Sequence, residues 1–139
     1  MRLVLDTNVV ISGFIWGGIP RQILELARED RVSLFTSGVL LDEFADVLSR
    51  GKFASMLASR NITPEFLMQR YGMLATVVKT QPIERTVPND TDDDAVIACA
   101  LAAQANIIVT GDSDLLMLHP FQNIQILKAA DALASLQKT

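Results

Sequence analysis

Arg2-Leu3-Val4-Leu5-Asp6-Thr7-Asn8 joins a short apolar run to a carboxylate and two small polar residues. Leu3, Val4 and Leu5 show no alternation of apolar and polar positions. Such a run suits a strand covered on both faces, as in a parallel sheet between helices. In open parallel sheets, chemistry gathers beyond the carboxyl ends of the strands, and Asp6 stands at such an end. Asp6 can also be read as a plain turn or N-cap residue. The other acids of the chain decide between the two readings.

The pattern recurs further on. Val32-Ser33-Leu34-Phe35-Thr36 reads as a second strand, and Asn106-Ile107-Ile108-Val109 as a third buried one, again running into Thr110-Gly111-Asp112-Ser113-Asp114. Ile124 to Leu127 reads as a last strand. Helices are expected between them. Val9–Ile15 starts a short one, which Trp16-Gly17-Gly18-Ile19-Pro20 breaks. Pro20 opens the next, with Ile23, Leu24 and Ala27 on one face. Ser37 is a suitable N-cap for a helix whose core stripe is Leu40, Leu41, Phe44, Val47 and Leu48. Phe53–Ser59 is a short helix. Thr63-Pro64-Glu65 is a helix start, running to about Ala75. Lys79 to Pro88 has no clear element, although it could hold a short strand. A helix follows from about Asp93 to Gln104, with Asp92 as its N-cap. A turn of helix covers Leu115–Leu118, and Lys128–Gln137 closes the chain. Strands alternating with helices imply right-handed crossovers and a three-layer α/β/α sandwich with a central parallel sheet of four or five strands. Residues 1–139 fit one domain.

Composition narrows the function. Half of the 139 residues are hydrophobic and a fifth are charged, which is globular rather than disordered. No secretory leader is read at the N-terminus, and the longest apolar stretch, Ala95–Ala103, is too short to span a bilayer, so no membrane partner is expected. Cys99, the one cysteine, excludes an internal disulfide and suits a reducing cytoplasm. It reads as a small buried hydrophobe; His119, the one histidine, lies in a Leu-His-Pro-Phe loop and offers it no evident base. The formal net charge is −4, from 16 acids against 12 Lys and Arg. An acidic chain does not advertise a polyanion partner. If four acids belong to a metal site, the rest of the surface is neutral. Trp16 is expected to pack on the body as a loop anchor, with base stacking or an interface as the alternative. Arg50-Gly51-Lys52 reads first as a helix end carrying cations, and second as a phosphate contact.

Helices in parallel α/β units run back against the strands, so their N-termini lie at the strands' carboxyl edge. Asp6 and Asp112 end strands there. Asp94 begins a helix there, three and seven residues from Ile97 and Leu101. Glu43 lies in the second turn of the helix after the second strand, bordering its apolar stripe, and Asp114 neighbours Asp112. Carboxylates rarely crowd together without protons or a cation to offset repulsion. Oxygen donors with no Cys or His nearby favour Mg²⁺ or Mn²⁺ over zinc. Such a site suits hydrolysis of phosphate esters.

At these residues the chain resembles the PIN-domain nucleases, and among them the toxins of VapC type. Leu5-Asp6-Thr7-Asn8 is similar to the family's opening motif. Glu43 falls where the second acid does, Asp94-Ala95-Val96-Ile97-Ala98 resembles the motif of the third, and Val109-Thr110-Gly111-Asp112-Ser113-Asp114-Leu115 that of the fourth. Thr91 departs from the family, whose members often carry Pro there. The resemblance implies catalytic Asp6, Glu43, Asp94 and Asp112, and metal ligation by Asp6, Asp94, Asp112 and Asp114. Asn8 and Thr110 would support them. It also implies Mg²⁺ or Mn²⁺, endonucleolytic cleavage of RNA, a homodimer and a cognate antitoxin. Two other readings stay open at this point. A phosphatase of haloacid-dehalogenase type also has an Asp after its first strand, but its second Asp is here Asn8 and no lysine follows at a clear strand end. A PIN-like binding module without turnover is the other.

Overall fold

The computed structural model describes residues 1–83 and 91–137, with Thr91 and Asp92 described by their backbone alone. Five parallel strands form one sheet: β1 (Arg2–Leu5), β2 (Ser33–Thr36), β3 (Ala75–Val77), β4 (Ile107–Val109) and β5 (Gln125–Leu127), in the order β3-β2-β1-β4-β5. Between them run α1 (Thr7–Ile15), α2 (Gly18–Arg28), α3 (Gly38–Leu48), α4 (Gly51–Ser59), α5 (Pro64–Leu74), α6 (Thr91–Ala103) and α7 (Ser113–Leu116), and α8 (Ala129–Gln137) follows β5. The parallel sheet and its covering helices match the expected α/β/α sandwich.

The absence of alternation in the strands has a direct cause. Leu3, Leu5, Leu34, Ile107 and Val109 face one core, with α1, α2, α3, α5 and α8. Val4, Phe35, Ile108 and Ile126 face a second, with α6 and α7. Both pleat faces of β1, β2 and β4 are therefore covered, and their positions other than the ends are apolar. Each large side chain buried this way contributes about 1.5–3 kcal/mol. α6 meets the sheet through Val96, Ile97, Cys99, Ala100 and Ala103, all buried, and its small residues allow close approach.

Two caps expected from the sequence are present. Ser37 Oγ accepts the Leu40 N–H at 3.2 Å, and Thr63 Oγ1 accepts the Phe66 N–H at 3.1 Å. Arg50 does sit at a helix junction, between α3 and α4, and its guanidinium pairs with Asp46. The turn between α1 and α2 depends on glycine. Gly17 and Gly18 hold φ of 86° and 65°, a region L side chains disfavour. A Cβ on Gly13 would lie 2.6 Å from Leu24 Cδ1 and 3.3 Å from the Pro20 carbonyl carbon, so a larger residue there would force the Leu24 side chain to move.

Two expectations are corrected. The third strand in chain order is Ala75–Val77, where the sequence pattern placed the end of a helix and an unassigned segment. Its Thr76 and Val77 are exposed, as an edge strand permits, so no apolar run marks it. Trp16 does not pack on the body; it is exposed. Residues 84–90, which include half of the unassigned Lys79–Pro88 segment, lie outside the described residues, as does the side chain of Asp92 with its expected capping role.

Candidate metal centre

Strand order fixes where the site lies. The chain passes from β1 outward to β2 and β3, then crosses to β4 on the other side of β1. The switch point is thus between β1 and β4, and crevices at such points open beyond the carboxyl ends. In register, Leu5 pairs with Val109. The next residues, Asp6 and Thr110, are therefore neighbours, and the Asp6 N–H donates to Val109 O at 2.9 Å.

Thr110 links the two strand ends. Its side chain is fully buried. Its hydroxyl donates to Asp6 Oδ2 at 2.7 Å and accepts the Asp112 N–H at 3.0 Å. One hydroxyl thereby holds a carboxylate of β1 and the loop after β4 in fixed relation. Asp6 occupies the N-cap position of α1, yet its side chain makes no capping bond. The plain N-cap reading of Asp6 therefore fails. For Asp112 the same reading holds: Oδ1 accepts the Asp114 N–H at 2.8 Å and the Leu115 N–H at 3.2 Å, capping α7. That leaves the second carboxylate oxygen of Asp112 outside the cap.

Among the described residues, three acids gather closely enough to share a cation. Asp93, Asp112 and Asp114 each place a carboxylate oxygen within 4.8 Å of the others. Asp93 is only 4% exposed, Asp112 is half-buried and Asp114 is exposed, so the group runs from the sheet rim out to solvent. The donors are all carboxylate oxygens, the set that fits a hard divalent ion such as Mg²⁺ or Mn²⁺. Asp6 adjoins this group through Thr110.

Asp93 stands in the group where the sequence pattern had placed Asp94. The reason is helical phase. Asp93 precedes the buried Val96 and Ile97 by three and four residues and Ala100 by seven, so it shares the face pressed on the sheet. Asp94 is turned away by about 100° and is half-buried beside Ala95, engaged in contacts of its own. Ile97 and Leu101 give Asp94 an equally apolar face in the sequence, so residue pattern alone does not separate the two acids. Glu43 is half-buried in the second turn of α3 and stands outside the three-acid group. Asn8 is exposed in the first turn of α1.

Cys99 is fully buried on α6, and burial pushes its thiol up to about 12. A thiol that holds its proton there is no nucleophile at neutral pH. His119 is committed elsewhere, its Nδ1 accepting the Ile126 N–H at 2.9 Å. What the rim can do chemically therefore rests on its carboxylates.

Known proteins place this geometry. A family model described as PIN domain matches residues 2–114, a span that holds Asp6, Glu43, Asp93, Asp94, Asp112 and Asp114. The uncharacterized protein MJ1680 of Methanocaldococcus jannaschii is 32% identical over 120 residues, covering 86% of this chain and 76% of that protein. Two solved structures share the fold at low identity. VapBC2 from Rickettsia felis, solved bound to a DNA fragment from its promoter, superposes with a TM-score of 0.60 at 14% identity, covering 91% of this chain and 97% of that chain. PAE2754 from Pyrobaculum aerophilum gives a TM-score of 0.56 at 13% identity, covering 99% and 90%. The haloacid-dehalogenase reading is set aside by the family match. With the model spanning both strand-end motifs and the acids between them, the chain belongs to the PIN-domain family.

Proposed function

We propose that this protein is a metal-dependent endoribonuclease that hydrolyses phosphodiester bonds of single-stranded RNA. In this reading it is the cytoplasmic toxin of a toxin–antitoxin pair, active as a homodimer and held in check by a cognate antitoxin. The observation that carries the nuclease reading is the cluster of Asp93, Asp112 and Asp114 oxygens within 4.8 Å at the switch point of the sheet. The likeness to VapBC2 of Rickettsia felis supports the toxin reading.

In the proposed site, Asp93, Asp112 and Asp114 would hold Mg²⁺ or Mn²⁺, with Asp6 completing the set. When bound, the ion supplies Lewis-acid stabilisation of the phosphate and lowers the pKa of a bound water. Thr110 holds Asp6 in place by donating to its Oδ2. Glu43, in the second turn of α3, is the acid assigned to orient the attacking water and take its proton. The N-termini of α1 and α6 point to this rim and lower the cost of bringing a phosphate to an acidic site. Asp94 is assigned a place in the site by the family motif, and the geometry favours Asp93 in the ligand role.

Incubation of purified protein with single-stranded RNA tests this. Cleavage with Mn²⁺, its loss with EDTA and its loss in Asp93→Asn are expected. Cleavage that survives EDTA, or that separates from the protein on a column, refutes the reading. Metal binding without cleavage assigns the chain to a PIN-fold binding module.

A further inference from the structure

The acidic balance of the chain leaves open what holds an RNA strand. Trp16 is 62% exposed at the turn after α1. Two guanidinium groups flank this turn and are anchored on its carbonyls rather than on acids. Arg21 donates from Nε to Gly13 O at 2.9 Å and from Nη2 to Phe14 O at 3.0 Å. Arg60 donates from Nη1 to Ile15 O at 3.3 Å, with its Cζ 6.0 Å from the centre of the Trp16 ring. Among the described residues neither arginine is in a salt bridge, and Glu25, one turn along α2 from Arg21, is held by Arg28 at 2.9 Å. The C-terminal turn of α1 thus presents an exposed indole near two guanidinium groups that its carbonyls orient, with Glu25 close enough to Arg21 to be stabilised by it.

The same pairing recurs alongside. Arg21 and Arg28 line a groove between α2 and α5, together with the acids Glu25 and Asp30, and its far wall carries Phe66, 49% exposed, with Arg70 Cζ 5.7 Å from its ring centre. Alternating exposed rings and guanidinium groups are what a single-stranded nucleic acid requires, since any base can stack and each phosphate needs a cation. The turn lies one helix length from the crevice, a distance that a few nucleotides of extended strand can span. Asp6 caps α1, whose nine residues at about 1.5 Å each put Trp16 roughly 15 Å from Asp6.

We propose that Trp16, Arg21 and Arg60 form a platform that holds single-stranded RNA at the far end of α1, one helix length from the carboxylate crevice, with one base stacked on the indole and the flanking phosphates on the guanidinium groups. Phe66 and Arg70 extend the track along the groove. The proposal rests on the ribonuclease reading for its substrate class, but binding and cleavage are separable.

The chain has one tryptophan, so its fluorescence reports on this position alone. The protein is titrated with a short oligouridylate in EDTA, where metal-dependent cleavage cannot intervene, and binding is followed in parallel by anisotropy of labelled RNA. Quenching of the indole that saturates with the anisotropy is expected. Trp16→Ala should weaken binding at least about five-fold, and Trp16→Phe should restore most of it. Arg21→Gln and Arg60→Gln should each lower the salt slope of log K by about 0.7. In cleavage assays with Mn²⁺, Trp16→Ala should raise KM and leave kcat near wild type. RNA binding that leaves the indole unquenched, or that Trp16→Ala does not weaken, overturns the platform even if the protein cuts RNA. Absence of RNA binding overturns it as well. So does an indole shielded from acrylamide in the free protein, which would mean a second copy or a protein partner covers it. Quenching and a Trp16→Ala defect without any cleavage leave the platform standing and sink the nuclease reading instead.

Discussion

Replacing Asp112 by alanine removes two things at once, and replacing it by asparagine removes only one. Oδ1 of Asp112 accepts two backbone N–H groups at the start of α7, from Asp114 at 2.8 Å and Leu115 at 3.2 Å. Asparagine keeps an oxygen in that place and is an equally good N-cap; alanine has none. Both substitutions remove a negative charge beside Asp93 and Asp114, so relief of repulsion is common to the two and cancels in their difference. Without metal, Asp112→Ala should be less stable than Asp112→Asn by about 1 kcal/mol, the usual worth of a cap. For a chain of this length that is roughly 3–5 °C in Tm. With Mn²⁺ the expectation changes. A ligand at about one hundred times its Kd stabilises the native state by about 2.7 kcal/mol, and both variants should lose most of that shift. Thermal melts followed by circular dichroism, with EDTA and with Mn²⁺, measure all four quantities. Equal melting of the two variants in EDTA would refute the capping role. A full Mn²⁺ shift in either would refute Asp112 as a ligand.

Titration calorimetry with Mn²⁺ separates the two neighbouring acids of α6: Asp93→Asn should abolish the heat and Asp94→Asn should retain most of it. The opposite order would return the ligand role to Asp94. Thr110→Val removes a donor from Asp6 Oδ2 and an acceptor from the Asp112 N–H in a fully buried position, and should cost about 1–3 kcal/mol in urea unfolding, with Thr110→Ser close to wild type. Alkaline stability follows from Cys99, whose thiol rises with burial from 9.0 to about 12. The unfolded chain ionises first, so stability falls as pH rises through about 9 towards 12, by at most about 1.4 kcal/mol per pH unit. Burial raises the Tyr71 hydroxyl above 10.0 as well, adding to the loss. Urea midpoints between pH 8 and about 11 should fall in the wild type and fall less in Cys99→Ala, and equal slopes would exclude the thiol.

The parallel α/β architecture was legible in the chain because burial on both faces of a sheet leaves a mark that needs no knowledge of the partner. Leu3-Val4-Leu5 and Ile107-Ile108-Val109 are apolar without alternation for that reason, and Asp6 and Asp112 declare the ends. Local hydrogen bonding is equally readable, so the caps at Ser37 and Thr63 followed from residue type. Three matters were settled only by the tertiary structure. β3 is a three-residue edge strand with two exposed positions, and what makes Ala75–Val77 a strand is its pairing with Leu34–Thr36, distant in sequence. Trp16 is exposed because α1 and α2 close on each other across Gly13, leaving the turn outside their contact. That Asp93 rather than Asp94 gathers with Asp112 and Asp114 reflects a rotation of about 100° on a helix that opens with a run of acids and is apolar on most sides beyond them. Local sequence cannot set that phase; it is fixed by which of α6's faces meets Val4, Phe35, Ile108 and Ile126 across the sheet.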